Sequence, residues 1–182
     1  MNLANHFSVS RILLVPLFVI SLMYYSPERH WLHDLSISVF ILACVTDGVD
    51  GYLARTLKQK TVLGSYLDPV ADKLLLLSGF LSLSLMGHLP VSMRIPAWVA
   101  IPVIARDVII LIGSIMVYLT TGKLKAEPLF IGKVTTVFQM LTLFIALLSS
   151  PEDIRLLFFI MTVALTILSG MGYVRMGGRL LR

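Results

Sequence analysis

Along most of its length the chain alternates long apolar runs with short polar breaks. The apolar runs fall at 12–25, 31–54, 66–87, 95–120, 129–149 and 154–173. All but the first lie near or above the roughly 20 residues that a bilayer core requires. The breaks carry turn-forming residues: Ser26-Pro27, a basic stretch at 55–60, Gly87-His88-Leu89-Pro90, and the segments 122–128 and 149–153. None of the runs shows the alternation of a membrane strand, and only helices or closed barrels satisfy backbone groups within lipid. The pattern therefore predicts an all-α integral membrane protein of six transmembrane helices, preceded by a mildly polar juxtamembrane segment at 1–11. Tyr24-Tyr25-Ser26-Pro27 is no small-residue cleavage site, so the first run reads as a retained span rather than a secretory signal. No repeat or low-complexity tract interrupts the series, and residues 1–182 read as a single membrane domain.

Composition sharpens this picture. With 57% hydrophobic residues, 14% charged residues and a mean hydropathy of +0.90, the chain is too apolar for an ordinary soluble domain. The formal charge of +5 is a matter of topology and lipid headgroups rather than nucleic acid, because no basic stripe with interleaved aromatics exists. Arg55, Lys58, Lys60, Lys123, Lys125, Arg175, Arg179 and Arg182 gather around the breaks on one side, whereas the other side holds Arg29, Arg94 and Arg155. The positive-inside rule then puts both termini in the cytoplasm. Cys44 stands alone within an apolar run, so it reads as packing rather than as a disulfide or thiolate ligand.

One stretch does not belong in lipid. Residues 47–72 place Asp47, Asp50, Asp68 and Asp72 at the facing ends of the second and third spans. A carboxylate near a membrane-helix centre costs about 2.5–3.5 kcal/mol, so four unpaired ones would cost roughly 10 kcal/mol. Asp47 and Asp50 are three apart and Asp68 and Asp72 four apart, so each pair shares a face of its own helix. The basic run at 55–60 can turn one helix back along the other, letting the four converge at the cytoplasmic side. Oxygen-only ligands without His or Cys suit Mg²⁺ or Mn²⁺, ions that bridge carboxylates to phosphates. Asp47-Gly48-Val49-Asp50-Gly51 lacks the alternate-position oxygens of a calcium loop. Asp68-Pro69 also fits an N-cap followed by the first helical position, alongside ligation. A cation transporter would account for intramembrane carboxylates, but it leaves Arg55 and the glycine spacing unexplained, and no inverted repeat is evident.

Asp47, Asp50, Gly51, Ala54, Arg55, Gly64, Asp68 and Asp72 together resemble the complete signature of the CDP-alcohol phosphotransferases, D-x2-D-G-x2-A-R-x8-G-x3-D-x3-D, with Gly48 at a free position. The resemblance extends through the six-span layout over essentially the whole chain. It implies transfer of a phosphatidyl group from CDP-diacylglycerol to an alcohol, with release of CMP, by a membrane enzyme that is a homodimer. It implies two Mg²⁺ or Mn²⁺ ions on the four Asp, which would neutralise charge developing on the diphosphate, and Asp72 as general base for the acceptor hydroxyl. Arg55 would pair with a phosphate oxygen. Gly48, Gly51, Ala54 and Gly64 would let the cytidine diphosphate approach the helix backbone, with lipid tails lying between helices. Asn5, Ser8 and Arg11 recur every three residues, similar to an Asn-x2-Ser/Thr-x2-Arg run in the family, which adds Asn5 and Ser8 to the nucleotide site. The setting is a bacterial inner membrane, with no nucleic-acid partner.

Two further ionic positions lie in apolar runs: Arg106-Asp107 in the fourth and Lys133 at the start of the fifth. Asp107 reads as a structural ion-pair partner. Arg106 and Lys133 are the expected grip on an acceptor phosphate, which four carboxylates in the same cavity would otherwise repel. A basic residue in a Gly-Lys context is also similar to the family pattern. Glycerol 3-phosphate is the acceptor that fits these cations. The alternative is phosphatidylglycerol, because Ala105-Arg106-Asp107-Val108 is also similar to the cardiolipin synthases of the family. Inositol phosphate and serine stay open.

Overall fold

The structure is a computed structural model that describes residues 3–56, 62–121 and 129–180; within these helices the side chains at 3–12, 47–56 and 62–72, and a few near 114–121 and 177–180, lie outside the description. The described residues form six helices: α1 (Leu3–Met23), α2 (His30–Thr56), α3 (Val62–Leu85), α4 (Ala97–Thr121), α5 (Phe130–Leu147) and α6 (Glu152–Leu180). The described residues hold no strand. Each apolar run became one helix. Two of them, Phe130–Leu147 and Glu152–Met176, are long and apolar enough to cross a membrane, and shorter apolar helical stretches occur at Leu13–Met23, His30–Thr46 and Lys73–Leu85.

Two boundaries differ from the hydropathy pattern. The polar residues ahead of the first apolar run are not a separate segment: α1 begins at Leu3 and runs through them without a break. At the other end α6 continues past 173 to Leu180, 29 residues or roughly 43 Å. That is longer than the roughly 30 Å of a hydrocarbon core, and Arg175 and Arg179 lie in its last two turns. Pro16 and Pro102 lie inside α1 and α4.

The chain forms two compact units, Met1–Arg94 and Ile95–Arg182. In the first, α1 packs against both α2 and α3. Phe18 and Leu22 of α1, Val39, Phe40 and Ala43 of α2, and Leu75, Leu76, Phe80 and Leu83 of α3 are buried together, with the Phe18 and Phe40 rings 5.9 Å apart. Beyond α3, His88 Nε2 lies 2.9 Å from the Leu22 carbonyl, which ties this turn to the end of α1. Arg94 donates to the Leu89 carbonyl (2.8 Å) and to that of Gly87.

In the second unit, α6 packs against α4 and α5. Trp98 meets Phe159 edge-on at 6.3 Å. The α5–α6 turn closes with Ser149 N–H on the Ala146 carbonyl (3.0 Å) and Ser150 N–H on that of Ile145 (3.3 Å). Ser149 takes the left-handed position (φ 51°) that glycine usually fills after a helix end. Arg155 Nε then donates to the Ser150 carbonyl at 3.0 Å.

Polarity is turned inward in this unit. Large apolar side chains such as Leu111, Ile112, Ile115, Leu156, Leu157 and Ile160 are exposed, while Thr135, Gln139 and Thr142 of α5 and Thr162, Thr166 and Ser169 of α6 are buried. The Thr142 and Thr162 hydroxyls meet at 2.6 Å. The Thr135 hydroxyl, 2.7 Å from the carbonyl of Ile131 on its own helix, also reaches that of Leu165 at 3.2 Å. Apolar faces of this size cost free energy in water. They suit lipid.

Candidate active site

The four Asp of the signature lie on α2 and α3. Asp50 is six residues before the end of α2 and Asp68 six residues after the start of α3, each about 9 Å along its axis from the connection between the helices. Asp47 and Asp72 are nine and ten residues away, about 14–15 Å. Both pairs thus lie within about three turns of the ends of two consecutive helices. The side chains of Asp47, Gly48, Asp50, Gly51, Ala54, Arg55, Gly64, Asp68 and Asp72 lie outside the described residues, as do those of Asn5 and Ser8 on α1. One expectation is corrected. Because α3 starts at Val62, Asp68-Pro69 sits inside the helix rather than at its N-cap.

In the second unit the side chains of Arg106, Asp107 and Lys133 are described. Arg106 of α4 is only 7% exposed, a burial that a guanidinium tolerates when its donors are engaged. Its Nη1 donates to Asp107 Oδ1 at 2.6 Å, and its Nη2 donates to the Ser169 hydroxyl of α6 at 2.9 Å. Its Cζ lies over the Tyr173 ring, 5.6 Å from the centroid. Its Nε is buried and has no hydrogen-bond partner among the described residues. Arg106 and Asp107 therefore form the expected ion pair, and Arg106 keeps a donor in reserve.

The start of α5 is built against this group. The Tyr173 hydroxyl accepts the N–H of Leu129, the N-cap residue of α5, at 3.3 Å. At Gly132 a Cβ would stand 2.6 Å from the Tyr173 hydroxyl and 3.3 Å from Arg106 Nη2, so only glycine leaves the approach open. Lys133, the next residue, is exposed. Gly132, next to the basic residue, thus leaves the space that the Arg106 and Tyr173 side chains occupy. Ser169 and Tyr173 escaped the sequence reading because a Ser and a Tyr in an apolar run look neutral. Their spacing of four was the available signal.

Comparisons with known proteins agree with the signature. The family model described as CDP-alcohol phosphatidyltransferase matches residues 1–168. A "Probable phosphatidylglycerophosphate synthase" of Mycobacterium tuberculosis (strain ATCC 25618 / H37Rv) is 31% identical over 95% of this chain and 80% of its own length. A "CDP-diacylglycerol--glycerol-3-phosphate 3-phosphatidyltransferase" of Aquifex aeolicus (strain VF5) is 32% identical over 86% of this chain and 82% of its own. Its namesake in Bacillus subtilis (strain 168) is 36% identical over 77% and 73%.

Proposed function

The chain belongs to the CDP-alcohol phosphatidyltransferase family, and from that premise we propose that it transfers the phosphatidyl group of CDP-diacylglycerol to glycerol 3-phosphate, giving phosphatidylglycerophosphate and CMP. The observation that carries the reading is the unbroken signature from Asp47 to Asp72, carried on the last turns of α2 and the first turns of α3. Glycerol 3-phosphate is preferred to phosphatidylglycerol because the relatives in Mycobacterium tuberculosis, Aquifex aeolicus and Bacillus subtilis carry names for phosphatidylglycerophosphate synthesis.

In the reaction a glycerol 3-phosphate hydroxyl oxygen attacks the phosphorus nearest the diacylglycerol. The new P–O bond forms as the bond to CMP breaks, the hydroxyl proton passes to the Asp72 carboxylate, and CMP leaves with the electron pair. Asp47, Asp50, Asp68 and Asp72 are a hard, oxygen-only donor set that fits Mg²⁺ or Mn²⁺. An ion bound there would supply charge neutralisation at the diphosphate. Arg55 pairs with a diphosphate oxygen, and Arg106 and Lys133 hold the acceptor's phosphate.

The deciding experiment is an acceptor panel with CDP-diacylglycerol, read by product mass and CMP release. Phosphatidylglycerophosphate from glycerol 3-phosphate is the expected product. Cardiolipin from phosphatidylglycerol would transfer the assignment to the other acceptor, and no CMP with any acceptor would leave the transporter reading.

The enzyme is further read as a six-span protein of the cytoplasmic membrane with both termini inside, from the exposed apolar faces and the charge asymmetry. Single cysteines at 58 and 123, on a background lacking Cys44, are expected to react only from the cytoplasmic side, and those at 29 and 155 only from outside. Labelling of position 58 from outside intact cells would reverse the topology.

A further inference from the structure

The reaction assigns no role to two residues that hold Arg106 from α6. Ser169 accepts from its Nη2 at 2.9 Å, and the arginine Cζ lies over the Tyr173 ring, 5.6 Å from the centroid. They are four residues apart, on one face of the helix. Between them Gly170 brings the α6 backbone against the arginine stem: a Cβ there would stand 3.8 Å from Arg106 Cγ. Asp107 engages Nη1. A planar cation fixed at two nitrogens, with its central carbon over an aromatic ring, has little rotational freedom left. Its remaining donors, Nε–H among them, are set before any ligand arrives.

We propose that Ser169 and Tyr173 are positioning residues for acceptor recognition, orienting the Arg106 guanidinium so that its unengaged N–H groups, including Nε–H, receive the acceptor's phosphate. The proposal rests on the reading of Arg106 as an acceptor-phosphate residue. Fixing the fork beforehand removes the ordering cost that a free arginine would meet on binding. Tyr173 does a second thing. Through the Leu129 N–H and the space at Gly132 it couples the guanidinium to the first turn of α5, which also carries Lys133.

The test is steady-state kinetics of the full-length protein in detergent, with glycerol 3-phosphate and CDP-diacylglycerol varied separately. Ser169→Ala and Tyr173→Leu are made in the wild type and in an Arg106→Lys background, with Arg106→Ala as reference. In the wild type each is expected to raise the KM for glycerol 3-phosphate about three- to tenfold while kcat and the KM for CDP-diacylglycerol stay within about twofold. In the Arg106→Lys background the same changes should add nothing, since the guanidinium they act through is gone. Equal effects in both backgrounds would mean a merely structural role and overturn the proposal. If Arg106→Ala raises the acceptor KM but neither α6 variant does, the positioning role falls and the reading of Arg106 stands. An unchanged acceptor KM in Arg106→Ala removes both. Ser169→Ala deletes a single hydroxyl and decides the matter alone if Tyr173→Leu does not fold.

Discussion

Asparagine in place of Asp47, Asp50, Asp68 or Asp72 is expected to lower kcat/KM by on the order of 10²- to 10⁴-fold at each position, the range that loss of a positioned proton acceptor or of charge stabilisation produces. Double variants should lose little more than single ones, because groups that act as a unit are not additive. Chelation of divalent ions should stop turnover, and Mg²⁺ or Mn²⁺ should restore it. Folding is expected to survive, since removing one of four like charges relieves repulsion in the ion-free protein. The thermal readout separates these effects. An ion that binds only the folded state stabilises it by mass action, about 2.7 kcal/mol at a hundred times its Kd, so Tm of the wild type should rise with added Mg²⁺. Each Asn variant should lose most of that rise. Full activity in excess EDTA, or near-wild-type rates in any two variants, would dispose of a shared ion site.

Arg106→Ala should show two separable losses. Asp107 is 16% exposed beside its partner, so deleting the guanidinium removes a 2.6 Å ion pair from a half-buried carboxylate and should lower stability. Loss of a charge-assisted contact to the acceptor phosphate, worth about 1.5–3 kcal/mol, should raise the KM for glycerol 3-phosphate roughly ten- to a hundredfold. The double variant Arg106→Ala/Asp107→Asn is expected to regain most of the stability and none of the acceptor affinity. Arg106→Lys should be a partial rescue, because a point charge does not reproduce a planar fork. If the double variant recovered both stability and acceptor KM, Arg106 would be a structural partner of Asp107 and nothing more. Lys133→Ala should raise the acceptor KM less than Arg106→Ala, because Lys133 is exposed and its charge better screened.

The helices were legible because hydropathy is a property of single segments. Six apolar runs became six helices, and Arg106 and Asp107 were visible as charges where charge is costly. Asp68-Pro69 misled because a local capping pattern competes with helix continuity, and α3 begins six residues earlier. The extension of α6 to Leu180 was missed because polar residues outside a bilayer core stay helical as readily as apolar ones within it. The seam of Thr135, Thr142, Thr162 and Ser169 depends on which helix faces which, information that a single sequence does not carry. Arg94 and Arg155 were counted only as orientation charges, yet each also closes a turn by donating to its carbonyls.

The α5–α6 seam bears on how this half of the enzyme responds to temperature. Two apolar helices surrounded by hydrocarbon gain nothing from expelling water, so their association rests on close packing and on hydrogen bonds such as Thr142–Thr162. The large heat-capacity change that makes soluble cores weaken on cooling comes from apolar hydration, which such an interface does not involve. In a bilayer, the grip between α5 and α6 is therefore expected to have a flat temperature profile, which thermal unfolding in lipid would test. Arg106, held through Ser169 and Tyr173 on the same helix, would keep its setting in cold and warm membranes alike, even as the surrounding lipid stiffens or loosens.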